Sequence, residues 1–197
     1  MAKEPVNFEN YYDHLRHVSF AGRWYKKLVT SPILFALARA HGPRIVEVGS
    51  GTGSGVLGAF GKYVQGFEIN SFAVEHCKSA GLNAQLITAA EPFPAEDEIF
   101  DACILDNVLE HIEDPRHTLG ECHRVTQKNG GLVIAVPGIR GYASDADHRK
   151  FYGYQELVTL DSRWVFERCF STPFLIKSEN LSRHVRQYCL IATYKKA

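Results

Sequence analysis

Residues 44–58 read RIVEVGSGTGSGVLG, an apolar run that breaks into glycines and then resumes with helical character. Strand, glycine turn and helix in that order open a βαβ unit, and the glycines call for a ligand that approaches the backbone closely. Two registers compete. Gly53, Gly55 and Gly58 spell GxGxxG, the turn of a dinucleotide site, but the apolar run ends at Val48 and several residues intervene where that turn should begin at once. Gly49, Gly51 and Gly53 start directly after the strand. Their GxGxG spacing admits a ligand without Cβ interference, and the following helix turns its N-terminal amides toward polar or anionic groups. Glu68, nineteen positions after Gly49 at the end of the next apolar run, puts a carboxylate where ribose hydroxyls can donate to it. Turn and acid together read as a nucleoside site.

Outward from this unit the same alternation continues. Strand candidates are VQGFEI (64–69), AQLIT (84–88), FDACIL (100–105) and LVIAVP (132–137), the last after a turn at KNGG (128–131); helical stretches lie at 56–63, at 71–80 and after Asp114 and Pro115. That order predicts parallel βαβ units. A loop at 138–148, GIRGYASDADH, leads to a predicted helix over 151–162. The tail holds two further strand candidates, 164–170 and 186–194, joined by a Pro-containing polar segment that can return the chain antiparallel. Ahead of the first strand, aromatics and leucines at helical spacing predict helices over 9–29 and 32–41, broken at Ser31 and Pro32. The expected fold is a single α/β domain over 1–197, with a doubly wound, mostly parallel sheet and an antiparallel C-terminal strand. Within it, 1–43 form a helical cap, 44–137 the cofactor-binding core and 138–197 an acceptor-side region.

Bulk composition narrows the function classes. The chain has 197 residues, enough for one domain with a substantial core, and 45% of them are hydrophobic and 22% charged. Lys plus Arg and Asp plus Glu number 22 each, so no global field favours nucleic acid or an anionic membrane. Five cysteines, odd in number and mostly in apolar surroundings, suit reduced thiols and a cytoplasmic protein better than a disulfide framework. No apolar run approaches the ~18 residues of a membrane span, and the polar, aromatic start MAKEPVNFENYYDH does not read as a secretory signal.

With EVGSGTG at 47–53, FEIN at 67–70 and FDACILDNVLEHIEDP at 100–115, the sequence resembles the class I methyltransferases that use S-adenosyl-L-methionine, over about residues 44–137. In that family the glycine loop holds the methionine end, the second-strand acid takes the ribose diol and the fourth-strand end lies beside the cofactor. The resemblance implies S-adenosylmethionine as cofactor and Glu47, Gly49, Gly51, Gly53, Glu68, Ile69 and Asn107 as its site. It departs in one place: many relatives carry an Asp after the third strand for the adenine amino group, whereas this stretch reads LITAAEPFP. Thr88, or backbone groups of Ala89 and Ala90, are left to meet the adenine, and Ala89 is the residue assigned.

Histidines and acids outside the glycine loop have sharper and blander readings. His111, His117, Cys122 and His123 do not form a second pair at a zinc-like interval, so no metal site is expected and a helix face is the plainer account. His111, after the Glu of VLEH, is carried over as a residue facing the cofactor. Asp145, Asp147, His148 and Tyr152 follow the fifth strand at a carboxyl end where open α/β sheets bind ligands. His148 is the candidate acceptor-side base, against a surface His beside a capping Asp. Arg183, His184 and Arg186 read as a solvated edge rather than as ligands of an acidic acceptor. The function expected is methyl transfer to an oxygen or nitrogen of a small molecule or glycan precursor. The alternatives are a non-catalytic cofactor-binding module acting on a partner, or an NAD-dependent dehydrogenase using the other glycine register.

Overall fold

A computed structural model describes residues 24–197; most of the helix expected over 9–29 lies outside the described residues. One seven-stranded sheet, in the order β3-β2-β1-β4-β5-β7-β6, carries the fold. Its strands are β1 (Ile45–Val48), β2 (Val64–Glu68), β3 (Ala84–Leu86), β4 (Phe100–Asp106), β5 (Thr126–Pro137), β6 (Trp164–Thr172) and β7 (Cys189–Lys196). The first five run parallel. β7 is antiparallel to β5, and β6 is antiparallel to β7. The α/β class, the mostly parallel sheet and the antiparallel C-terminal strand are as expected, and both strand candidates of the tail join the sheet.

Strict period-2 alternation in the central strands divides their side chains between two buried faces. Val46, Val48, Cys103, Leu105, Leu132, Ile134 and Val136 join one apolar cluster with Leu119, Cys122 and Val125 of helix α4 (Arg116–Val125). Ile45, Ala102, Ile104, Val133 and Ala135 join the other. That second face is covered by Leu34 and Ala38 of α1 (Ser31–Arg39), Val56 and Leu57 of α2 (Val56–Phe60), and Val74 and Cys77 of α3 (Ser71–Ser79). Because helices cover both faces, the strands read as continuous apolar runs. All five cysteines are free. Among the described residues no helix is long and apolar enough to cross a membrane.

Several boundaries differ from the sequence expectation for identifiable reasons. Pro32 does not break the N-terminal helix: the chain enters α1 through a π-helical turn, Lys26–Thr30, and Pro32 sits in the first turn of α1, where a missing N–H is tolerated. The KNGG turn becomes an irregularity inside β5, with Asn129 at φ 63° and the pairing jumping from Phe100↔Thr126 to Ala102↔Gly131. The 138–148 loop contains α5 (Ile139–Ala143), and the helix expected over 151–162 shrinks to α6 (Tyr154–Val158) after Gly153. A further short helix, α7 (Glu179–His184), capped by the Ser178 side chain, occupies the segment read as a polar return.

Gly58 lies in α2, and a Cβ there would run into the Gly53 carbonyl oxygen, which is rigid backbone. A Cβ at Gly120 in α4 would meet only the Arg163 guanidinium, 2.5 Å away at the end of a flexible side chain. Gly58→Ala is therefore expected to lower unfolding free energy by about 2 kcal/mol or more, and Gly120→Ala to stay within about 1 kcal/mol of the parent. Urea unfolding of the two variants checks this; equal midpoints would mean that α2 does not rest on the glycine loop.

Candidate functional site

Parallel strands β1, β2, β4 and β5 end along one edge of the sheet, and the segments that follow them build the site. After β1, Gly49, Gly51 and Gly53 all adopt left-handed φ values of 75°, 54° and 73°, a region that side chains rarely enter. Gly55 has φ −100° and Gly58 is helical. The alternating glycines that the turn geometry demands are thus those of the GxGxG register. Gly49 also packs closely on the segment after β4, because a Cβ there would stand 2.5 Å from Val108 Cγ2.

Two buried acids fasten the loop at its middle and its far end. The Glu68 carboxylate, 4% exposed, accepts the Gly51 N–H at 2.7 Å through Oε2 and the Asn70 N–H at 2.9 Å through Oε1. Burial raises its pKa, while the backbone N–H groups of Asn70, Gly51 and Ile69 pull it down. Glu47, 1% exposed, accepts the Leu57 N–H at 2.7 Å and the Val56 N–H at 3.3 Å, at the otherwise unpaired start of α2. Burial and the nearby Asp106 carboxylate push Glu47 up to about 7, against the pull of the Lys26 ammonium. Lys26 comes from the π-helical turn and pairs with Asp106 at 3.0 Å. A Cβ at Gly55 would stand 2.7 Å from Glu47 Oε1, so a side chain there would displace the Glu47 carboxylate.

Downstream of β2, Ile69 is 45% exposed and Asn70 caps α3 by accepting the Phe72 and Ala73 N–H groups. Thr88, Ala89 and Ala90 follow β3 as an exposed stretch, with the Thr88 hydroxyl held by Glu91 at 3.1 Å. Asn107, left-handed at φ 56°, follows Asp106 and donates from Nδ2 to Asp106 Oδ1 at 2.8 Å.

The fourth and fifth strand ends meet around two histidines. His148 is not on the surface: its side chain is 8% exposed, stacks on Tyr142 and meets the His111 ring edge-on at 4.7 Å. Its Nδ1 lies 2.7 Å from the Tyr142 carbonyl oxygen, an acceptor to which Nδ1–H donates. Nε2 stands 4.0 Å from both Glu110 Oε1 and Asp145 Oδ2. Burial, then the neighbouring His148, lowers the His111 pKa. Tyr152, 2% exposed with a hydroxyl that has no hydrogen-bond partner among the described residues, is pushed up to about 12 by burial and then by Glu110.

The residues set aside on sequence go elsewhere. His117 Nε2 lies against the Glu91 carbonyl oxygen, Cys122 packs in the core, and His123 stands edge-on to Trp164. Arg183 pairs with Glu179 along α7. Lys26 and Asp106 were not singled out on sequence; Asp106 carries a signal in its place before Asn107, whereas nothing local marks Lys26.

A family model described as a methyltransferase domain matches residues 46–134, which contain the glycine loop, Glu68 and the segment after β4. An uncharacterized 37.1 kDa protein in transposon TN4556 of Streptomyces fradiae is 30% identical over 127 residues, covering 59% of this chain and 35% of that protein. Phosphoethanolamine N-methyltransferase 2 of Caenorhabditis elegans is 24% identical over 160 residues, covering 76% of this chain and 36% of that protein. The chain spans 35–44% of the length of the curated relatives it matches. In fold it is similar to a SAM-dependent methyltransferase of Thermotoga maritima described as a possible histamine N-methyltransferase, with a TM-score of 0.70 at 21% identity, covering 96% of this chain and 97% of that one. The strand order and the glycine register agree with the matched domain: residues 46–134 match the methyltransferase-domain model, and the fold is the one seen in solved SAM-dependent methyltransferases.

Proposed function

We propose that this chain transfers the methyl group of S-adenosylmethionine to an oxygen or nitrogen of a small molecule or glycan precursor. The observation that carries the reading is the left-handed Gly49-Gly51-Gly53 loop fastened to Glu68, with a histidine pair at the neighbouring strand ends. The residues fit the cofactor: three glycines without Cβ atoms form a cradle, and a buried acid stands at the end of β2. Gly49, Gly51 and Gly53 would hold the methionine portion, Glu68 the ribose hydroxyls, and Ile69, Ala89 and Asn107 the nucleoside around them, with Glu47 and His111 nearby. Bound S-adenosylmethionine supplies an already activated sulfonium methyl. What remains for the protein is to align the acceptor, exclude water and, for a hydroxyl acceptor, receive a proton. His148 is the acceptor-side base in this reading, because its Nδ1 is held by Tyr142 and its Nε2 lone pair faces the strand-end cluster.

Glu68→Ala removes the acceptor for ribose and for the Gly51 N–H at once. Charge-assisted hydrogen bonds are worth roughly 1.5 to 3 kcal/mol each, so S-adenosylhomocysteine should bind at least about tenfold more weakly in titration calorimetry, with a native circular dichroism spectrum and a lower melting temperature. Unchanged affinity would remove Glu68 from the site. NAD is expected to leave the melting temperature of the parent protein unchanged while S-adenosylhomocysteine raises it; the reverse order would support the dehydrogenase register. His148→Ala should lower turnover about a hundredfold and leave S-adenosylhomocysteine affinity within about twofold, since the loss falls on the transition state. Steady-state kinetics beside calorimetry checks the split, and wild-type turnover in the variant would leave alignment as the mechanism.

A further inference from the structure

Glu110 is a buried acid that the proposed methyl transfer does not use. It is 1% exposed, and beyond its own backbone N–H neither of its carboxylate oxygens has a hydrogen-bond partner among the described residues. An isolated buried carboxylate is strongly unfavourable unless something compensates it. Its backbone is firmly placed, the carbonyl oxygen accepting the Arg149 N–H at 2.7 Å and the Lys150 N–H at 3.2 Å. The side chain is directed into a cluster with His111 and His148, in which one ligand-type atom from each residue lies within 4.8 Å of the others. The pairing joins the turn after β4 to the loop after β5, across 37 residues, so no local spacing announces it.

We propose that Glu110, His111 and His148 form a site for one divalent cation of the borderline class, such as Zn²⁺, Mn²⁺, Fe²⁺ or Co²⁺. Two imidazoles and one carboxylate suit these ions, whereas Mg²⁺ and Ca²⁺ prefer all-oxygen shells. Bonds of about 2.0 to 2.2 Å place neighbouring ligand atoms about 3 to 3.5 Å apart. The 4.0 Å between His148 Nε2 and Glu110 Oε1 needs to close only slightly to reach that range. The outer contacts are those that orient metal-binding imidazoles: His148 Nδ1 faces the Tyr142 carbonyl oxygen at 2.7 Å, and His111 has a hydrogen bond to the Asp147 backbone. Asp145 Oδ2, also 4.0 Å from His148 Nε2, stands close enough to support the same ion. Three protein ligands leave coordination positions open, which gives the acceptor class: a molecule with an oxygen donor that can enter them.

The inference deepens the methyltransferase reading, and rests on it only for the acceptor's role. An acceptor hydroxyl held there would release its proton to water. As its C–O bond forms, the sulfonium C–S bond breaks and S-adenosylhomocysteine leaves. When the ion is bound, His148 serves as its ligand and water takes the proton that the metal-free protein would pass to His148.

The test uses tag-free protein, stripped with chelator and titrated with Co²⁺ alone. One equivalent should bind, with visible absorption and no thiolate charge-transfer band, and Mg²⁺ should bind at least about a hundredfold more weakly. Glu110→Gln preserves shape and fold and should weaken Co²⁺ at least about tenfold; His148→Ala should do the same. No saturable binding of Co²⁺, Zn²⁺ or Mn²⁺ to the parent, or affinities unmoved by both substitutions, overturns the site. A parallel titration of each protein with S-adenosylhomocysteine keeps the two readings separate, because metal binding stands or falls without the methyl donor.

Discussion

The site depends on how a run of left-handed backbone is held without a ladder to hold it. Residues 49–55 leave the sheet after Val48: the Gly49 and Ser50 N–H groups still donate to the Phe67 carbonyl oxygen of β2, and beyond Ser50 the strand ladder stops. Glu68 reaches from the next strand to take the Gly51 N–H, and Glu47 reaches forward to take the N–H groups of Val56 and Leu57 where α2 starts. One loop is therefore clamped at its middle and its far end by buried carboxylates from two adjacent strands. The glycines satisfy the dihedral demand and the acids satisfy the donors. Neither half would fix the loop alone.

Burying Glu47 beside Asp106 is electrostatically unfavourable, as its rise to about 7, from burial and then from Asp106, records. Lys26 offsets part of it. Its ammonium pairs with Asp106 and favours the ionised form of Glu47, while coming from a helical turn far away in sequence. The N-terminal helix thus does more than cover the sheet with Leu34 and Ala38; it carries the cation that balances the acids under the glycine loop. The π-helical turn Lys26–Thr30 sits where Lys26 makes that pair, and a widened turn at such a place fits the habit of π-bulges to occur near sites.

Most of the sheet was legible because its strands are buried on both faces: IVEV, FDACIL and LVIAVP have no other use for so many consecutive apolar residues. The GxGxG register was legible for a different reason. A strand end at Val48 leaves no room for the other spacing, and the three positive φ values agree. Weaker reading began where local pattern and tertiary position separate. Pro32 looked like a break, but a first-turn proline breaks nothing. Ser178 initiates a short helix that composition alone presents as a polar return. Lys26, Glu110 and the inward turn of His148 are properties of pairs remote in sequence, and a one-dimensional pattern does not contain them.

Strand polarity explains why these parts assemble at all. β1, β2, β4 and β5 run the same way, so every segment that follows one of them emerges at the same edge. The glycine loop, Glu68, Asn107, the Glu110–His111 turn and the His148 loop are all such segments. β7 then reverses direction and lies between β5 and β6. It closes the far side of the sheet without a crossover at the crowded edge, and Tyr188, just before it, is buried with its hydroxyl accepting the Ser178 N–H at 3.0 Å. The glycine loop and the histidine cluster are therefore neighbours by topology, with the contact of Gly49 on Val108 as the seam between them. Any change that moves the turn after β4 shifts both halves together, so the placement of the histidine cluster relative to the glycine loop is set by the packing of one short segment, Asn107–His111.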